Sequence, residues 1–80
     1  MTRELLAEAN KLNRAITNLE AQIQITADMY HCNNNLVLEV DTVGAVAIPA
    51  GGELKDDIIN MVLEHLNKMK DGMEDKLRLL

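Results

Sequence analysis

From Leu5 onward, apolar or small residues recur at Leu5, Ala9, Leu12, Ile16, Leu19, Ile23, Thr26 and Tyr30, in steps of four and three that alternate strictly. A mean step of 3.5 follows the turn of a helix and not the two-residue pleat of a strand, so the stripe belongs to a helix that lays one seam against a neighbour. Asn10, Lys11, Asn13, Arg14, Asn18 and Glu20 fall off that seam. The pattern predicts a helix over about residues 2–29, with Thr2 as N-cap and Glu4 complementing the positive end of the helix dipole. Asn33-Asn34-Asn35, residues that tolerate turn geometry, end the segment.

The helical stripe then gives way to Leu36-Val37-Leu38-Glu39-Val40 and, after Asp41-Thr42-Val43-Gly44, to Ala45-Val46-Ala47-Ile48. These aliphatic and β-branched runs read as a β-hairpin over 36–48. Pro49 ends the second strand because it has no N–H for the ladder. Two strands alone are marginal in water, so the hairpin is expected to pack on the helices or to pair with strands from another copy.

Beyond Pro49-Ala50-Gly51-Gly52 the helical period returns and predicts a second helix over 53–79. Glu53, Asp56 and Asp57 stand at its start and Lys76 and Arg78 at its end, as the dipole prefers. Its main row reads Ile59, Val62, Leu66, Met69, Met73, Leu77 and Leu80, with Leu54, Ile58, Met61 and His65 beside it. Glu64 with Lys68 and Glu74 with Arg78 are spaced as ion pairs. Gly72 should cost about 1 kcal/mol relative to Ala and bend the helix or fray its last turn.

The expected fold is therefore α+β, mainly α: one domain over 1–80, helix–β-hairpin–helix, with two long amphipathic helices as an antiparallel pair. That element order resembles the prefoldin subunits, whose coiled-coil helices are connected through β-hairpins; the resemblance implies topology alone and carries no chaperone activity with it. A chain of 80 residues buries a modest share of its surface. The second helix has more apolar width than one antiparallel neighbour covers. A dimer or higher homo-oligomer follows as an expectation, a helical bundle to which an intersubunit sheet could contribute. Leu5, Leu12, Ile16, Leu19, Ile23, Ile58, Met61, Val62, Leu66, Met69, Met73 and Leu77 are its expected contact residues.

Charge and composition narrow the function classes. The net charge is −5, with no Lys/Arg cluster, which argues against a nucleic-acid partner. No apolar run approaches a membrane span, and no apolar stretch follows Met1-Thr2-Arg3-Glu4, so neither membrane insertion nor export is expected. The single cysteine, Cys32, fits a reducing compartment and hence the cytoplasm, a host's cytoplasm if the chain is viral. Tyr30, the one aromatic residue, is expected to plug the junction of helix and hairpin.

Chemistry-bearing residues are few. Gly51 and Gly52 at a helix start, with Lys55 nearby, leave backbone N–H groups that could meet an anion, and His31, Asn33 and Asn34 form a polar loop that could join them. The spacing matches neither phosphate-binding fingerprint, and the neighbouring carboxylates would repel an anion. His31 and Cys32, adjacent in sequence, have no second ligand pair to complete a metal site. His65, among apolar residues, is expected to be a boundary residue with a local hydrogen bond, the alternative being a group that couples assembly to pH. No carboxylate is paired with a histidine at catalytic spacing, so no enzyme, metal or cofactor is expected. The expected function is a non-enzymatic oligomeric binding protein acting on a macromolecular partner. The alternatives are an inhibitor of viral or mobile-element type that sequesters a small anionic ligand or nucleotide signal between subunits, and a dimeric regulator or antitoxin.

Overall fold

A computed structural model describes residues 2–80 and has the order helix, two-stranded antiparallel hairpin, helix. Helix α1 spans Arg3–Met29, strands β1 and β2 span Leu36–Val40 and Gly44–Ile48, and helix α2 spans Glu53–Arg78. Each boundary has a local cause. Thr2 Oγ1 accepts from the backbone N–H of Leu5 at 3.2 Å and so caps α1. Pro49 closes β2, and Gly52 in extended geometry opens α2, with acidic residues in its first turn and basic residues in its last. Gly72 does not fray the end of α2, which runs on through it to Arg78.

The strands pair in register Leu36↔Ile48, Leu38↔Val46 and Val40↔Gly44, so these six residues share one face and Val37, Glu39, Ala45 and Ala47 the other. A turn closed by Val43 N–H on the Val40 carbonyl at 3.1 Å joins them. Thr42 takes φ +67° there and Gly44 φ +141°. Glycine meets that geometry freely, whereas β-branched Thr42 is strained in it.

The helices pack antiparallel along the seam of Leu12, Ile16, Leu19 and Thr26 on α1 and Lys55 and Ile59 on α2. Thr26 is tolerated there because its hydroxyl donates back to the Gln22 carbonyl at 2.7 Å. The inner row of α2 differs from the sequence pattern. Leu63 and Lys70 turn toward α1, half-buried, while Val62 and Met69 stand exposed on the shoulder. Lys70 can occupy an inner position because its long stem carries the ammonium to the rim, 4.0 Å from Glu20 and 3.7 Å from Glu74. Glu74 is thereby engaged with Lys70, and Arg78 pairs with Asp75 instead; Glu64 and Lys68 do meet, at 3.3 Å.

The result is a slab one helix-pair thick, measuring 51 × 28 × 15 Å. Its radius of gyration is 16.6 Å, where a compact chain of this length would have about 12 Å. Its accessible surface is 6316 Å², about 1500 Å² more than the size scaling of compact monomers gives for 8.9 kDa. Among the described residues only Leu12, Ile16, Leu19, Ile48 and Ile59 form the buried apolar core.

Candidate functional site

The polar residues singled out in the sequence gather at one end of the slab, where α1 ends, the hairpin departs and α2 begins. Lys55, in the first turn of α2, is 3 % exposed and turns inward. Its Nζ donates to the carbonyls of Cys32 and Asn34, the latter at 2.8 Å. The last turn of α1 has no basic residue of its own, and the Lys55 ammonium supplies positive charge from the other helix just beyond the C-terminal end of α1. Two further bonds lock the same end. Tyr30 Oη donates to the Asp56 carbonyl at 3.4 Å, and the Ala50 N–H donates to Asn35 Oδ1 at 3.1 Å. Half-buried Tyr30 thus joins the end of α1 to the first turn of α2.

A small concavity of about 210 Å³ opens at this junction, lined by Met29, Cys32, Asn34, Asn35, Leu36, Val37 and Lys55. Of the six residues considered for a ligand, Asn34 and Lys55 meet in it, and His31, Asn33, Gly51 and Gly52 are not among its lining. With its ammonium bonded to two carbonyls, Lys55 works here as a strut between helices. Glu53 and Asp56 in the same turn surround the mouth of α2 with negative charge. The described residues contain no group of three His, Cys, Asp or Glu side chains placed to hold a metal ion, and no helix long and apolar enough to cross a membrane.

Apolar exposure lies elsewhere: Leu6 and Ile25 on α1 and Leu79 at the end of α2 are exposed, and two further regions form larger groups. One is the outer flank of α2, where exposed Leu54, Met61, Val62, His65 and Met69 and half-buried Ile58 follow one another at helical spacing and Met61 is 70 % exposed. Met61, Val62, His65 and Leu66, with Glu64 and Lys68, line a shallow groove of about 490 Å³ on this flank. The other is the hairpin. Ile48 is buried at its base, but Leu38, Val40 and Val46 on the same face are exposed, and Val43 at the tip is 81 % exposed.

Of the contact residues expected for an oligomer, Leu12, Ile16 and Leu19 are consumed within the chain, and Ile23, Ile58, Leu66, Met73 and Leu77 are half-buried. Leu5, Met61, Val62 and Met69 remain exposed. Sequence reasoning missed the strut role of Lys55, whose one signal was the absence of Lys, Arg or His near the end of α1 before His31. It also missed the inward turn of Leu63. No family model matches the chain, and neither the curated proteins nor the solved structures yield a match.

Proposed function

We propose that the protein is a non-enzymatic binding module that works as a homo-oligomer and grips an extended segment of another protein with its projecting hairpin. One observation carries the reading: an antiparallel pair of strands that stands clear of the helices with Leu38, Val40 and Val46 uncovered on one face. A two-stranded sheet has unpaired backbone groups along both outer edges, and adding a strand satisfies them while the apolar face selects the side chains. Strain at Thr42, on the exposed tip, supports the same reading, because a β-branched residue in the left-handed region weakens the hairpin unless something else is gained there. Against the anion-sequestering alternative, the Lys55 ammonium at the junction is taken up by backbone carbonyls.

The test is to pan a displayed peptide library against the wild-type chain and against Leu38→Lys/Val46→Lys. Extended, β-branched segments retained by the wild type and released by the double variant are the expected result. Equal retention by both, or a nucleotide panel that raises the melting temperature while no peptide is selected, overturns the reading.

A further inference from the structure

We infer that the outer flank of α2 is a two-fold docking surface for a second copy of this chain, with α2 lying antiparallel on α2 of the partner. This rests on the homo-oligomeric part of the function proposed above and names the surface that part would use.

Gly72 is the first observation. It lies on the flank, seven residues from His65 and fourteen from Ile58, in one row. A glycine inside a helix costs about 1 kcal/mol relative to alanine. Nothing among the described residues calls for it: α2 is continuous there, its φ is ordinary, and a Cβ built on Gly72 would meet none of their atoms within 4 Å. A bare stretch of backbone beside open space lets a second helix approach closely.

The second observation is area. The slab exposes about 1500 Å² more than a compact monomer of its mass, shared between the hairpin and the helix flanks; a contact covering about a third of that excess on each of two chains removes about 1000 Å², the least a specific interface needs. At 15 Å the chain is a single layer, and a second copy supplies the second layer that a stable domain requires.

Charge selects the direction. Antiparallel docking sets the positive, N-terminal end of the α2 dipole beside the negative, C-terminal end of the partner's α2, whereas parallel docking would set like ends together. A two-fold axis passing by His65 places Met61 opposite the partner's Met69 and Ile58 opposite the partner's Gly72, so the largest gap on the flank receives a branched side chain.

Sedimentation equilibrium over a wide concentration range tests this on the full chain, for the wild type, Gly72→Leu and Met61→Glu, with far-UV circular dichroism to report helix content. The expected result is a wild-type dimer whose Kd rises roughly a hundredfold in each variant while helix content holds. In a Cys32→Ser background, a short bismaleimide should link chains carrying His65→Cys and leave chains carrying Asn67→Cys, on the opposite flank, unlinked. A wild type that stays dimeric while both variants keep its Kd, or equal linking at both cysteine positions, overturns the flank assignment and leaves the oligomeric reading standing. A wild type that is monomeric throughout overturns both.

Discussion

Lys55 and Met61 lie six residues apart on one helix and have exchanged the environments their chemistry would choose. The ammonium is 3 % exposed and the thioether 70 %. Burying a charge is costly unless hydrogen bonds replace its water, and Lys55 has two carbonyls of the loop after α1 that do so. Met61 is uncovered for the opposite reason: α1 covers one face of α2, and no described residue lies over the other. A side chain's place in this molecule thus follows from which surfaces exist to receive it more than from its hydrophobicity.

The residue between them sharpens the contrast most. Ile59 is 1 % exposed, and Ile59→Ala should cost about 3–4 kcal/mol in urea denaturation, a large part of a small domain's stability. A cost below about 1 kcal/mol would show that the α1–α2 seam is too loose to count as the inside. Lys55→Met keeps most of the stem and removes the charge, and is expected to cost about 2 kcal/mol by losing two charge-assisted hydrogen bonds. No loss in the same titration would break the comparison, because Lys55 would then be buried without being needed. Thr42→Gly should raise stability by about 1 kcal/mol by relieving the left-handed backbone at the hairpin tip, seen as a higher melting temperature. Met61→Ala should have the smallest effect, under about 0.5 kcal/mol in dilute solution. Its cost should grow with protein concentration if the outer flank is covered by mass action, and a penalty independent of concentration would leave that flank in water.

The sequence was a good guide wherever local chemistry decides. Helices expected at 2–29 and 53–79 are Arg3–Met29 and Glu53–Arg78, and the hairpin falls within 36–48, because caps, Pro49 and the change of period are all local signals. The rotation of α2 about its axis was less legible. Val62 or Leu63, and Met69 or Lys70, serve a heptad seam almost equally by spacing, and counting hydrophobicity favoured the wrong member of the second pair. A lysine at an inner position is readable only when the carboxylates at its rim are known, here Glu20 from α1 and Glu74 one turn on. The junction was half legible: Lys55 and Asn34 were grouped, but as a place for a ligand, since the carbonyls that occupy Lys55 belong to a loop 23 and 21 residues away.

That separation also bears on how the chain reaches its fold. The contact between Lys55 and the Cys32 carbonyl spans 23 residues, while those joining the far ends of α1 and α2 span most of the chain. Closing the shorter loop loses less chain entropy, and the hairpin, a microsecond structure of purely local pairing, shortens it further. Folding is therefore expected to start at the hairpin and zip along the helices toward the termini, with Lys55 as the first clasp between them.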